Sequence, residues 1–422
     1  MRILLWHGYL LGGTGSNVYT RQLAREWSRA GHDVTVLSQE PRPEIYDLGG
    51  ADTVRPDVNG FLPVFVLDRY EGYDDVRRLP DCTRAELEEW VEANAAAVRR
   101  LLPADLVFTN HVLLGGPVGV ASGAPFAVKA HGSELEYSMR GRPDLAAWGA
   151  EALAEARATF VGSEHIRAVV EDVCGHIEHV FEVPPGVDVE LWLPARRDEA
   201  LAQLVAEAAL DRPNPGNADE RLPDDGNAER LGAFLADDRP TVVYFGKLIE
   251  QKGVDVLLEA LRGIAARVVI VGFGPEREAL EAVAASNGVR ALFTGPLEHR
   301  HLRHLLAFSD ACVVPSVFPE AFGMVAAEAA AAGCPPVVSR HSGLAEVAAG
   351  LEEALPARLV PLVSFPTRDA DALRERLTTL LALPEDDREL LRATVRRVVE
   401  ERWSWAGIAR RLLEVAEMQE RG

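Results

Sequence analysis

The sequence predicts an α/β protein of two doubly wound domains, and three observations carry that prediction. Short apolar runs rich in β-branched residues alternate with Ala-, Leu- and Arg-rich stretches of helical period, the pattern of a parallel sheet covered by helices. The alternation occurs as two series separated by a polar stretch at 210–230. At 422 residues the chain exceeds one ordinary core, so two domains of roughly 200 residues each are expected.

In the first series the strand candidates are Ile3–Trp6, Asp33–Leu37, Leu106–Thr109, Ala127–Ala130, Thr159–Val161 and Val180–Val183. A helix over about Asn17–Arg29 is preceded by glycines and a serine, carries Leu23, Ala24 and Trp27 on one stripe, and meets Gly31 at its end. These are start, periodicity and stop signals. The second series runs through Thr241–Phe245, Arg267–Val271, Ala291–Thr294, Ala311–Pro315 and Pro336–Ser339, with helices near 253–262, 275–286, 298–308 and 322–332. Leu210–Arg230 is rich in Pro, Gly, Asn and acidic residues, cannot bury a core, and reads as an exposed, mobile insertion. A last helix over roughly Trp405–Met418 carries Ile408, Leu412, Leu413 and Val415 and needs an apolar surface to cover. The expected boundaries are 1–190, 191–403 and 404–422.

Hydrophobic residues make up 48% and charged ones 26% of the chain, near globular averages. The net charge of -21 argues against a nucleic-acid partner, whose phosphates call for a basic field, and disfavours docking on anionic lipid. Membrane contact is not indicated. Cys82, Cys174, Cys312 and Cys334 are scattered, with neither a CxxC pair nor metal-ligand spacing, which reads as reduced thiols. Met1–Trp6 is not a signal peptide, and no run reaches the roughly 18 apolar residues of a membrane span. A soluble, cytoplasmic protein is expected.

The segment PSVFPEAFGMVAAEAAAAG, Pro315–Gly333, is the most informative. A strand end runs through a loop into an alanine-rich helix closed by glycine, and open α/β sheets bind ligands outside the carboxyl ends of their strands. Backbone N–H groups at Phe322, Gly323 and Met324 would cradle an anion or hydroxyl at the helix start, and Gly323 admits close approach. Glu320 in the loop and Glu328 in the helix can face one crevice, and a carboxylate accepts two hydroxyls, as a sugar or ribose offers. A charged first-turn residue at Glu320 and a solvated helix face at Glu328 are the simpler alternatives.

With these residues in view, the sequence resembles the family-4 glycosyltransferases, whose E-x7-E motif matches Glu320 and Glu328 in spacing and flanks. Further matching segments are GGTGSNVYTRQLAREW at Gly12–Trp27, AHGSE at Ala130–Glu134, VPPGVD at Val183–Asp188, FGKLIEQKG at Phe245–Gly253, VGFGPE at Val271–Glu276, FTGPL at Phe293–Leu297 and SGLAEV at Ser342–Val347. The resemblance implies a GT-B fold: two Rossmann-like domains facing a central cleft, an N-terminal acceptor domain, a C-terminal domain for the nucleotide-sugar donor, and a last helix crossing back to the first.

By the same resemblance, Glu320 lies near the donor sugar hydroxyls and Glu328 on the ribose, while Phe322, Gly323, Met324 and Val325 hold sugar and phosphate through their backbone. Lys247 and Lys252 neutralise the departing diphosphate, a role that gains as charge develops. Position 247 is more often Arg in the family; lysine keeps the charge but loses the bidentate fork. Gly12 and Gly13 bring backbone amides against the diphosphate, His131 lies beside the donor sugar, Gly272 belongs to the donor-binding set, and Pro296 and Leu297 pack on the base. Plain turns at the glycines and at Pro296–Leu297, and solvated lysines, are the alternatives.

Other patterns fail. Val18 and Arg277 stand where a third glycine of G-x-G-x-x-G would be, which disfavours nicotinamide or flavin dinucleotides. The acidic pair Asp369 and Asp371 reads as a helix cap rather than a metal site, and His299, His301 and His304 read as residues of an exposed helix. No GxSxG elbow or P-loop occurs, which removes the usual hydrolase and kinase readings. The expectation is a retaining hexosyltransferase moving a sugar from a nucleoside-diphosphate sugar, UDP-linked, to an unidentified small-molecule, lipid or glycan acceptor, with no metal or other cofactor. Acceptor choice is expected in Glu40–Tyr73 and His111–Gly119. An epimerase or hydrolase on the same scaffold, or a non-catalytic sugar-nucleotide binder, are the alternatives.

Overall fold

The computed structural model describes residues 1–13, 15–65, 70, 72–214 and 222–419. The chain divides into two compact units, one of Met1–Gly186 with Trp405–Gly422 and one of Val187–Ser404.

The first unit holds a seven-stranded sheet in the order Asp52–Val54, Asp33–Leu37, Arg2–Trp6, Leu106–Asn110, Phe126–Lys129, Ala158–Val161 and Val180–Glu182. Its pairings are all parallel. The strand period of two divides Arg2–Trp6 between two cores: Leu4 and Trp6 join one cluster, Ile3 and Leu5 the other. That second cluster also takes Trp405, Ile408, Leu412, Leu413 and Val415. The last helix, Trp405–Met418, therefore finds its apolar surface in this unit, against helix Gly15–Arg29. Each of its large apolar side chains gains about 1.5 to 3 kcal/mol from burial, and Trp27 Nε1 donates to Ala409 O at 2.9 Å.

The second unit holds a six-stranded sheet ordered Arg290–Phe293, Arg267–Val271, Thr241–Phe245, Ala311–Val314, Pro336–Ser339 and Ser364–Phe365, again parallel. In each sheet the strand order reverses beside the unit's first strand. These switch points lie between Arg2–Trp6 and Leu106–Asn110, and between Thr241–Phe245 and Ala311–Val314. Crevices at such points are where doubly wound sheets receive ligands.

The chain passes from one unit to the other after Gly186 and after Ser404. Two features differ from the sequence reading. The expected mobile insertion is anchored on both described flanks. Asn214 N donates to Asp225 at 2.6 Å, Asp224 accepts from Arg277 at 2.6 and 2.9 Å, and helix Asn227–Leu235 begins inside the stretch; residues 215–221 lie outside the described residues. His301 is fully buried rather than exposed, with Nε2 2.9 Å from Asp211 Oδ1. At the acidic pair, Asp369 caps helix Ala370–Leu381 by accepting from Ala372 N at 2.8 Å. All four cysteines are free.

Candidate functional site

In the second unit, the loops after Thr241–Phe245 and after Ala311–Val314 leave the sheet at its switch point, so Lys247, Lys252 and Glu320 come from adjacent strand ends. Lys252 forms an ion pair with Glu320. Ser316 Oγ lies 2.9 Å from the same carboxylate oxygen and 3.1 Å from Gln251 O, and Val317 N donates to Gln251 O at 2.9 Å. From the next strand end, Glu320 N donates to Ser342 Oγ at 2.9 Å and Gly343 N to Glu320 O at 3.0 Å, while His341 Nε2 lies 2.7 Å from Ser316 O. Three loops thus hold one carboxylate and one ammonium in place. Ser316 and Ser342 lie inside segments read from the sequence, but neither they nor His341 receives a role there, because their spacing from Glu320 carries no signal of its own. Lys247 is exposed and makes no ion pair among the described residues; its carbonyl accepts from Tyr244 Oη at 2.8 Å.

Helix Met324–Ala331 starts at Gly323, whose φ of 120° favours glycine and whose Cβ would lie 2.8 Å from Leu344 Cδ2. Gly323 O accepts from Ala326 N and Ala327 N. The N–H groups of Phe322 to Val325 meet no backbone acceptor among the described residues, leaving the donors a helix start offers an anion. The Phe322 ring is buried edge-on against Trp403, 5.6 Å between centroids, which fixes the loop and leaves its backbone for contact. Met324 and Val325 are half-buried.

Glu328, on the same helix, is half-buried rather than a solvated face residue. Desolvation pushes its carboxyl up to about 8, and among the described residues no hydrogen bond or neighbouring cation offsets that burial. An unpaired carboxyl in a dry setting is costly unless a ligand satisfies it.

Gly272 has a packing requirement of its own: its φ is 144°, and a Cβ there would sit 1.8 Å from Gly246 O, so the two strand-end loops touch through backbone. Leu297 is buried in the core of the unit and Pro296 is half-buried beside it.

In the first unit, Gly12 and Gly13 follow Arg2–Trp6. A Cβ on Gly12 would meet Tyr46 Oη at 2.3 Å. Asn17 Nδ2 donates to Gly12 O, and Leu11 N donates to Glu40 at 3.1 Å, so this turn is tied down from two sides. Thr14 of the same motif lies outside the described residues.

His131 follows strand Phe126–Lys129 and is the first of a cluster that the sequence does not reveal. Its Nε2 lies 3.0 Å from Asn110 Oδ1 and its N donates to Glu134 Oε1 at 2.6 Å. The His111 ring stands 4.7 Å from it, with Nδ1 3.2 Å from Glu134 Oε2. His7 stacks on His111 at 5.7 Å and meets Asn17 Oδ1 at 2.8 Å. Three histidines from three adjacent strand ends therefore meet at the switch point, though His7 precedes the other two by more than 100 residues. Burial, then the neighbouring His111 and Lys129, draw His131 well below its ordinary range; burial, then His111, bring His7 to about 3. Both rings are neutral at pH 7. Lys129, buried with Nζ 2.7 Å from Val183 O, is lowered to about 7 by desolvation.

The two stretches expected to choose the acceptor are not open loops throughout. His111–Gly119 is buried, its second half the start of helix Gly115–Ser122, because its apolar residues fill the core. Part of Glu40–Tyr73, at 66–69 and 71, lies outside the described residues. Among the described residues no three His, Cys, Asp or Glu side chains are grouped to hold a metal ion, and no helix is long and apolar enough to cross a membrane.

Residues 13–191 match the model of Glycosyltransferase Family 4 and residues 228–397 that of Glycosyl transferases group 1. The chain is 28% identical over 366 residues to a D-inositol 3-phosphate glycosyltransferase of Xylanimonas cellulosilytica, covering 79% of this chain and 77% of the relative. It is 30% identical over 247 residues to a GDP-mannose-dependent alpha-(1-6)-phosphatidylinositol monomannoside mannosyltransferase of Mycolicibacterium smegmatis, covering 55% and 56% of the two chains. Among solved structures, HepE of Anabaena in complex with UDP superposes with a TM-score of 0.70 at 15% identity, over 99% of this chain and 100% of that one. With the two family models spanning most of its length and both units built as parallel α/β sheets, the chain belongs to the family-4 glycosyltransferases of GT-B fold.

Proposed function

We propose that the protein transfers a hexose from a nucleoside-diphosphate sugar, with UDP as the nucleotide, to a hydroxyl acceptor with retention of anomeric configuration. The observation that carries this reading is the second unit's switch point, where the Lys252 ammonium and the Glu320 carboxylate are paired and the following helix start leaves its amides without a backbone acceptor among the described residues. Lys252 and the backbone of Phe322 to Val325 suit a diphosphate, and Lys247 adds a second positive charge. Glu320 suits the sugar hydroxyls, and Glu328, desolvated and unpaired, suits the ribose diol. Gly12, Gly13 and His131 are assigned to the donor as the family resemblance implies, and Gly272, Pro296 and Leu297 to its nucleotide side.

With retention, the departing phosphate oxygen takes the proton of the attacking hydroxyl as the new glycosidic bond forms and the old C–O bond breaks. A separate base is unnecessary, and the cations that favour the leaving diphosphate act where charge develops. Four free cysteines suit a cytoplasmic site of action.

The experiment is calorimetric binding of UDP, GDP and ADP with their glucose, GlcNAc, mannose and galactose conjugates, followed by NMR of the product anomer in an acceptor screen. Selective binding of UDP species and a product with the donor's anomeric configuration are expected. Selective binding of GDP species would reassign the nucleotide; donor hydrolysis without any transfer, or an inverted product, would overturn the reading.

A further inference from the structure

We infer that Asn110 is a positioning residue for the transfer, holding the His131 ring as one neutral tautomer with its proton on Nε2. This rests on the proposal that His131 lies beside the donor sugar.

A backbone carbonyl can only accept a hydrogen bond. Asn110 is the last residue of its strand, fully buried, and its Nδ2 lies 3.3 Å from Trp6 O and 3.2 Å from Thr20 Oγ1. Thr20 Oγ1 in turn donates to Ser16 O at 2.8 Å, so its lone pairs are what it offers Asn110. Turning the amide over would set Oδ1 against a carbonyl oxygen and leave two acceptors facing an acceptor. The NH2 group is therefore on the Trp6 and Thr20 side, and Oδ1 faces His131 Nε2 at 3.0 Å. An amide oxygen cannot donate, so Nε2 carries the hydrogen.

The groups around the ring discourage a second proton. His111 and Lys129 oppose it, as does His7 from the neighbouring strand end, and Tyr19 closes the ring edge-on at 5.4 Å. Glu134, the nearby anion, is occupied by His131 N at 2.6 Å, His111 Nδ1 at 3.2 Å and Val112 N at 3.4 Å. His131 then meets the donor as an uncharged ring of fixed orientation, rather than as an acid, and Asn110 is the group that fixes it without touching the sugar.

The test is nitrogen NMR of the full chain labelled with 15N-histidine, the His131 signal being identified by its loss in His131→Gln. The expected wild-type pattern is a protonated Nε2 and a bare Nδ1, unchanged from about pH 5.5 to 8.5 across the ordinary histidine range. A protonated Nδ1, or an imidazolium forming in that range, overturns the inference without any Asn110 variant having to fold. Asn110→Asp puts an anion where the amide oxygen was, so His131 should now titrate within that window and kcat should fall about tenfold or more, with donor Kd within about twofold. An Asn110→Asp protein with unchanged His131 signals and unchanged kcat also overturns it. The NMR pattern does not depend on turnover, so a wild type without transfer activity would defeat the proposed function and leave the tautomer assignment standing.

Discussion

Glu328 gives the most quantitative handle on the donor site. Its carboxyl stands near 8 because it is desolvated and has no donor to stabilise its anion, so at pH 7 the protonated form exceeds the carboxylate by about ten to one. A ribose diol donates two hydroxyl hydrogens, which only the anion accepts in full. UDP binding should then be coupled to loss of one proton. The fraction of ready carboxylate rises from about one tenth at pH 7 to about nine tenths at pH 9, and Kd should fall about tenfold across those two units before levelling off. The terminal phosphate of UDP, with a second pKa of about 6, is already ionised there and contributes no slope. Glu328→Gln should bind UDP more weakly at pH 9 by about 1.5 to 3 kcal/mol, the usual worth of a hydrogen bond to a charged group, and should show no slope. Calorimetric titrations at pH 7, 8 and 9, in buffers of different ionisation enthalpy, measure both Kd and the proton released. A wild-type Kd that is flat with pH and releases no proton would refute the placement of the ribose on this carboxylate.

Lys252→Ala should lower kcat about a hundredfold with donor Kd little changed, since the ammonium matters most once the diphosphate leaves; single-turnover kinetics separates the two. Lys129 has a folded-state pKa of about 7, below its unfolded value of about 10.4. The unfolded chain therefore binds the extra proton between those values, and wild-type stability should rise with pH from about 7 to about 10 relative to Lys129→Met, as read by denaturant midpoints of both proteins. Asp369→Ala should cost about 1 kcal/mol of stability by removing the cap on Ala370–Leu381, seen as a lower denaturation midpoint with transfer unaffected.

The fold was largely legible because both sheets announce themselves locally. Thr241–Phe245 and Val268–Val271 are unbroken apolar or β-branched runs buried on both faces, the signature of a central parallel strand. Edges are another matter: Asp52–Val54 is partly exposed and Ser364–Phe365 is two residues long, so neither has a pattern to read. Glu320 and Glu328 were visible through their spacing, but their surroundings were not. Lys252, Ser342 and Gly343 reach Glu320 from loops whose proximity is created by sheet order. The histidine cluster is hidden for the same reason, since His7, His111 and His131 share neither a period nor a segment. His301 misled because a histidine between arginines looks solvated, whereas Asp211, far along the chain, closes over it.

The two carboxylates illustrate why spacing alone could not assign their work. Glu320 sits in the loop before the helix and is already engaged by Lys252 and Ser316. Glu328 lies on the helix with no hydrogen-bond donor among the described residues, and burial drives it toward the protonated form. A diphosphate arriving at Lys252 would compete with Glu320 for the ammonium and release carboxylate lone pairs toward nearby hydroxyls, which ties sugar recognition to phosphate recognition through one ion pair. Nothing comparable constrains Glu328, whose anion is worth forming only when hydroxyls replace the water it has lost. In the proposed donor complex the same residue type, eight positions apart, would thus answer to two different signals: one to the charge of the leaving group, the other to the presence of the nucleoside.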